Sequence, residues 1–349
     1  MAQHRLPHTL HLLLLGGALF LSAGRLSAQE TLSRLEAEKL VMTVVQAVET
    51  HRVPAKDQAA SHGAKLRVLQ FTESPGRVTP DELYRAINAY LRTLDTEGHT
   101  FAIPAEQWKR WESATPTILM DRSALAQLVE VGRDRILVLR LPQTTFVDEK
   151  STAEFATWAN GVIDGVTRGA DVCGVVIDLA EQKGGNAWPA VAVLQPLLSA
   201  GNTARFAPWG KPRSPIWASE VTSQLHPRFV SLGSGALAQL RGLPFAVVTT
   251  GKTASAGEMV AVLLRGEARS RSFGRPTYGA STANIAISLP DGGMLALTVA
   301  RYALGDGPPL KGRIEPDERS TFFAPHAWSV RKAAQWVQGA SSRCKGGTP

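Results

Sequence analysis

The sequence predicts an α/β fold in which an N-terminal helical bundle precedes a core of mostly parallel sheet with flanking helices. Apolar residues recur at helical spacing within residues 30–97, and two nearly unbroken apolar segments follow at Val172–Leu179 and Pro244–Thr250. Such segments are typical of strands buried on both faces, and each is followed by a predicted helix, the alternation expected of a parallel sheet. The 349 residues are 44% hydrophobic and 19% charged, an ordinary globular composition that excludes collagen and coiled coil.

Residues 1–28 have the layout of a secretory signal peptide. Arg5 precedes the apolar run Leu10–Leu21, and small residues lead to a cut after Ala28. The run is shorter than the roughly 20 residues that a membrane-spanning helix needs. We therefore expect secretion across the inner membrane to a periplasmic or extracellular location, with no membrane span in the mature chain. An uncleaved N-terminal anchor is the alternative, because Leu26 is an imperfect residue near the cut.

The helical bundle begins after the signal segment. Leucines and valines follow helical spacing within 30–51. A further helix is predicted to begin at Thr79, an N-cap residue followed by Pro80 and by Glu82 of a capping box, and to run as far as Gly98.

The core is predicted to begin with strand Arg135–Leu141 and to close with a hairpin in 285–304 whose turn is Asp291-Gly292. A small β-rich cap is expected to cover it, and 201–240 otherwise has the composition of surface loop. The predicted units are the signal peptide (1–28), the helical domain (29–110), the cap segment (111–132, with parts of 201–240), the core (133–325), and a C-terminal helix and polar tail (326–349).

Charge and cysteine content exclude several classes of function. The formal charge of +8 comes from 38 Lys+Arg against 30 Asp+Glu, and the basic residues are scattered, so no nucleic-acid partner is expected. Two cysteines without a C-x-x-C motif exclude zinc–thiolate and iron–sulfur sites, and no metal or cofactor is expected. Cys173 lies in an apolar strand and Cys344 in a polar tail, so both are predicted to be unpaired, with a disulfide between them as the alternative.

Ser255 is the candidate nucleophile. It stands between a buried strand and an apolar helix, in Thr253-Ala254-Ser255-Ala256-Gly257-Glu258. At such a corner the hydroxyl lies beside backbone N–H groups that have no intrahelical partner and can stabilise an oxyanion. The alternative is an ordinary N-cap serine. In either case Glu258 is expected to be structural and to satisfy local backbone donors.

A serine nucleophile needs a base, and His99 is the candidate. It follows Gly98 in a tight turn after a predicted helix, where an imidazole can face a cleft. A structural interfacial histidine is the alternative. Gly184 and Gly185 follow the strand Val172–Leu179 and allow close approach of backbone N–H groups, so one of them is expected to join Ala256 in an oxyanion hole.

Taken together, these segments resemble the tail-specific, or C-terminal-processing, family of serine peptidases in its tricorn-like branch, and they look most like its nisin-resistance-protein subgroup. The resemblance implies a crotonase-like or ClpP-like core, nucleophile Ser255, and a peptide or protein substrate cut near a C terminus. It also implies that Thr282 and Asn284 line the substrate groove. The matching segments, in family order, are Gly98–Thr100, Val175–Leu179, Gly184–Pro189, Thr253–Glu258, Phe273-Gly274, Thr277–Gly279, Ser281–Asn284 and Glu315–Asp317.

The sequence departs from the family at the base. Many members carry a lysine after Thr-x-Gly, but residues 277–281 contain none, which favours the histidine branch and His99. Lys252 precedes the serine and is a poor candidate. Glu315 and Asp317 are candidate carboxylates for orienting the histidine. Two functions of other classes stay open, namely a non-proteolytic ligand- or peptide-binding protein on the same fold and an envelope scaffold.

Overall fold

The computed structural model describes residues 31–73, 78–113, 125–144, 149–216, 235–321 and 323–344. The predicted signal segment, residues 1–28, lies outside these ranges. Within them, no helix is long and apolar enough to cross a membrane.

Helices and strands alternate along most of the chain. In order they are α1 (Arg34–Thr50), α2 (Gln58–Glu73), α3 (Pro80–Leu91), β1 (Phe101–Ile103), α4 (Ala105–Ser113), β2 (Ala126–Val131), β3 (Asp134–Arg140), α5 (Glu149–Thr167), β4 (Val172–Asp178), α6 (Trp188–Leu194), β5 (Ala204–Pro208), β6 (Ser214–Pro215), α7 (Gly235–Gln239), β7 (Phe245–Thr249), α8 (Ala256–Arg265), β8 (Ser270–Gly274), β9 (Thr282–Ser288), β10 (Met294–Leu304), β11 (Glu318–Arg319) and α9 (His326–Ala340).

Helices α1, α2 and α3 form the predicted bundle. The capping box at the start of α3 is present, since the Glu82 N–H donates to Thr79 Oγ1 at 3.3 Å and the Thr79 N–H donates to Glu82 Oε2 at 3.2 Å. Burying the apolar faces of these helices requires a partner surface, and Leu295 and Leu297 of β10 belong to the same core cluster. The bundle is therefore packed on a sheet.

That sheet is organised around β10. Strand β10 pairs antiparallel with β9 along one edge, and with β1 and β5 along the other. The β9–β10 pair is the predicted closing hairpin. Strands β5 and β6 come from the segment 201–240, which was expected to be surface loop, and they complete this sheet instead.

The larger sheet has the order β11-β8-β7-β4-β3-β2 and is parallel except at β2. Every residue of β4 is buried, as its apolar sequence predicts. Helices α5 and α8 cover one face and α9 covers the other, which confirms the predicted α/β architecture. Strand β2, taken from the predicted cap segment 111–132, is an edge strand of this sheet rather than part of a separate cover.

A disulfide joins Cys173 of β4 to Cys344, which follows α9. The prediction that both cysteines are unpaired is therefore wrong. Cys344 reaches β4 because α9 packs directly on that strand. The packing is so close at Gly174 that an added Cβ would overlap the Val337 side chain of α9. A separation of 171 residues leaves no local signal of this pairing in the sequence.

Candidate active site

Ser255 occupies the corner between β7 and α8, as predicted. Its backbone has φ 51° and ψ −110°, a conformation that non-glycine residues rarely adopt and that is typical of functional positions. The Ser255 N–H donates to Glu258 Oε2 at 2.9 Å. This contact holds the strained corner, and the Ser255 side chain lines a cavity.

Glu258 is fully buried and connects two loops beneath the serine. Besides Ser255, its carboxylate accepts hydrogen bonds from the Thr277 hydroxyl and from the Gly279 N–H, the latter at 3.0 Å. Burial raises the pKa of Glu258, while these donors act in the opposite direction. The contacts agree with the interpretation that Glu258 satisfies local donors, and they tie the corner to the segment leading into β9.

His99 lies on the smaller sheet, just before β1. Helix α3 ends earlier than predicted, at Leu91, and a turn follows in which Glu97 and Gly98 have positive φ values of 56° and 76°. His99 Nδ1 lies 2.7 Å from the Thr282 hydroxyl. With Nδ1 protonated toward Thr282, the opposite nitrogen Nε2 is the acceptor that a general base requires. Burial lowers the pKa of His99, and the charge of Glu97 offsets part of that effect.

An ion pair between Glu97 and the buried Arg301 fixes this turn against β10. The Glu97 carboxylate pairs with Arg301 of β10 and also accepts the Gly312 N–H at 3.1 Å. Arg301 is 1% exposed and also lies 3.2 Å from the Asp95 carboxylate. Since removing one member of a buried pair leaves an uncompensated charge, Arg301 is a supporting residue of the site. Sequence reasoning missed it, because an arginine inside an otherwise apolar strand was the only signal.

The glycine loop after β4 lies directly against the serine. A Cβ built on Gly184 would be 3.4 Å from Ser255 Cβ, and Gly184 and Gly185 have φ values of 130° and 89°. The hydrogen bonds recorded across the described part of the chain do not engage the N–H groups of Gly184, Gly185 or Ala256. These groups are therefore free to donate to an oxygen that develops charge beside Ser255.

The site opens into a groove of about 870 Å³. One face of the smaller sheet forms its floor, because Phe101 and Ile103 pair in register with Ala296 and Met294, and all four point the same way. Trp188 from the start of α6 and residues of α4 also line it. The groove is mostly apolar. Its lining residues are His99, Phe101, Ile103, Gln107, Trp108, Arg110, Gly185, Asn186, Trp188, Ser255, Asn284, Ile285, Ala286, Met294 and Ala296.

Thr282 and Asn284, predicted to line the substrate groove, both contact His99. Thr282 faces the ring, and the Asn284 side-chain amide donates to the His99 carbonyl at 2.7 Å. Asn284 also lines the groove, whereas Thr282 is 1% exposed. Their observed contacts therefore position the histidine, a role that the sequence did not indicate.

The remaining candidates lie elsewhere. Asp317 accepts hydrogen bonds from the Ser272 N–H at 2.8 Å and from Arg265 at 3.0 Å, and Glu315 lies 4.0 Å from Arg319. Those contacts are at the β8–β11 edge, so the observed partner of the His99 ring is the Thr282 hydroxyl and not either predicted carboxylate. Lys252 is on the surface, with its Nζ 3.0 Å from Glu181.

Potential metal ligands cluster at one place within the described ranges, formed by Asp134, Cys173 and Cys344. Both sulfurs there belong to the disulfide.

The sequence is similar to a peptidase family and to a curated nisin-resistance protein. A family model described as "Peptidase family S41" matches residues 135–320, which is 186 of 349 residues. The nisin-resistance protein of Lactococcus lactis subsp. lactis is 26% identical over 166 residues, covering 47% of this chain and 49% of that protein. The chain spans about half or less of the length of the curated relatives that it matches.

Solved structures share the fold. A lipoprotein from Streptococcus agalactiae superposes with a TM-score of 0.66 at 20% identity, covering 87% of this chain and 96% of that one. The photosystem II D1 C-terminal processing protease superposes with a TM-score of 0.53 at 16% identity, covering 85% and 96%.

Proposed function

The chain belongs to peptidase family S41, and from this membership we propose that it is a serine endopeptidase with a Ser255–His99 dyad. The observation that carries the proposal is that Ser255 and His99, brought together from different sheets, line one groove. The strained backbone of Ser255 and the hydrogen bond that holds His99 Nδ1 support it.

In the proposed mechanism, Ser255 Oγ attacks the carbonyl carbon of a bound peptide while His99 Nε2 takes the hydroxyl proton. The tetrahedral oxyanion is held by the N–H of Ala256 together with that of Gly184 or Gly185. The C–N bond then breaks as His99 returns the proton to the leaving amine. Water, activated by His99, hydrolyses the acyl-enzyme and regenerates Ser255.

The proposed dyad differs from a full triad in what holds the histidine. A triad carboxylate orients the ring and stabilises the imidazolium formed during attack. Here the Thr282 hydroxyl supplies orientation without charge, while Glu97 acts on the ring only through its electrostatic field. We therefore expect slower turnover than a full triad would give.

The apolar floor of the groove favours peptides with apolar side chains around the scissile bond. We extend the proposal to cleavage near a peptide's C terminus, the process for which the photosystem II D1 C-terminal processing protease is named. Mass spectrometry of products from a peptide library would test both points, with Ser255→Ala as the control. Products cut mainly at interior polar sites would contradict them.

We also propose that the protein is exported and acts in the periplasm or outside the cell. The Arg5 and Leu10–Leu21 layout supports this, and a Cys173–Cys344 disulfide is stable in an oxidising compartment. N-terminal sequencing of protein recovered from fractionated cells should give a start near Gln29. Recovery from the cytoplasm with Met1 retained would contradict the proposal.

A fluorophosphonate probe tests the dyad directly. We expect labelling of the wild type, none of Ser255→Ala, and a loss of several orders of magnitude in rate for His99→Ala. Lys252→Ala is the matched control and should be labelled like the wild type. If the folded protein is not labelled at any of the pH values tested, the peptidase proposal is refuted and a binding protein is favoured.

A further inference from the structure

A second cavity, of about 690 Å³, adjoins the groove on the side of α3. Phe101, Ile103 and Gln107 line both cavities. The outer edge of β1 between them is closed by Asn88, whose side chain accepts the Ala102 N–H and donates to the Ala102 carbonyl, each at 2.8 Å. A continuous surface therefore runs from the serine and histidine across β1 to α3.

The far end of this surface carries two arginines. Arg85 lies on α3 and Arg92 is the residue that caps its C-terminal end, seven positions later and therefore on the same side of the helix, and both line the second cavity with exposed side chains. Arg110 of α4 lines the groove. The one acidic residue among the lining residues of the two cavities is Asp81. These lining residues include three arginines and one aspartate, while Glu82 adjoins Arg85 and Asp291 accepts a hydrogen bond from Tyr84, so the attraction for an acidic group is local to the arginine side chains.

The length of chain between His99 and the far end of β1 sets how far a bound peptide must extend from Ser255 to reach α3. Ile103 lies four positions after His99, and four steps of extended chain span roughly 13 Å. A peptide held at Ser255 therefore brings the side chains four to six residues from its scissile bond to α3.

We propose that Arg85 and Arg92 bind acidic side chains of the peptide at that distance, so that the substrates are peptides with an apolar cleavage segment and an acidic flank. This inference rests on the proposed peptidase function. The arginines contribute to binding and not to the chemical step, because they lie away from the reacting atoms.

The test uses a peptide series with one apolar cleavage segment and a Glu-Glu, Gln-Gln or Lys-Lys pair placed four to six residues from the scissile bond on either side. We expect the lowest KM for the peptide that carries Glu-Glu on one particular side of the scissile bond, the side that faces α3. The expected gain is about two- to fivefold per charge, as for exposed ion pairs. It should shrink as salt is raised, since exposed charges are screened. The value of kcat should be similar across the series.

The double variant Arg85→Glu/Arg92→Glu should reverse the order, so that the Lys-Lys peptide has the lower KM. Arg67→Glu, an exposed charge reversal on α2, is the matched control and should keep the wild-type order. Equal KM values for all peptides at every placement, or a preference for acid that survives in the double variant, would overturn the inference while leaving the peptidase intact.

Binding of the same peptides to Ser255→Ala, followed by fluorescence anisotropy, separates the two proposals. Tighter binding of acidic peptides to a protein whose wild type cleaves none of them would refute the peptidase function and leave Arg85 and Arg92 as a site that only binds acidic peptides. Equal affinity for the Glu-Glu and Lys-Lys peptides would refute the inference whatever the activity.

Discussion

Removing the Cys173–Cys344 disulfide should destabilise the protein substantially. The bond closes a segment of 171 residues, and the loss of chain entropy for a loop of that length stabilises the folded state by about 5 kcal/mol. With a urea slope of about 3 kcal/mol per molar, the midpoint of unfolding should fall by roughly 1.5 M. We expect this shift for Cys173→Ala/Cys344→Ala and for the reduced wild type.

The assay compares urea unfolding of the oxidised wild type, the reduced wild type and the double variant. Reductant should lower the midpoint of the wild type and leave the double variant unchanged, which controls for effects of the reductant itself. Coincident midpoints for the oxidised wild type and the double variant would refute the reasoning. So would two reactive thiols in wild-type protein that was unfolded without reductant.

Three further predictions concern the site. The acid limb of the pH profile of kcat/KM should have its midpoint below 6.5, since burial lowers the pKa of His99 and keeps the base neutral at lower pH; a midpoint above 6.5 contradicts this. Thr282→Val should lower kcat/KM by about tenfold through loss of one hydrogen bond to the ring, with Thr282→Ser close to wild type; equal loss in both points to packing instead. Gly184→Ala should lower fluorophosphonate labelling, because a φ of 130° is strained for alanine and a shift of this loop moves backbone that lies against Ser255. Gly242→Ala, with φ 86° and open space around it, should cost about 1–3 kcal/mol of stability and leave labelling intact.

Features encoded by neighbouring residues were predictable. The capping box of Thr79 and Glu82 begins α3, and the unbroken apolar run of β4 is buried on both faces. The position of Ser255 was predictable because it stands between a buried strand and an apolar helix, although the same pattern also fits an ordinary N-cap serine. Each of these inferences depends on contacts within a few residues, which a sequence displays directly.

Features that depend on distant pairing were not predictable. Strand β5 has a composition typical of loop, and its pairing with β10 and β6 makes it a strand. The contact between Thr282 and His99 spans 183 residues, and the Glu97–Arg301 pair spans 204. The family resemblance pointed to carboxylates at Glu315 and Asp317, but it carried no information on which group faces the ring in this chain.

The division of the site between two sheets has a consequence for biosynthesis. His99 leaves the ribosome long before Thr282, and Glu97 in the turn that carries it pairs with Arg301 of β10, 204 residues further along the chain. A growing chain that has already made Ser255 still lacks the strands that hold the base. The proposed peptide cleavage therefore requires that the chain be synthesised beyond β10, so the order of translation itself delays activity.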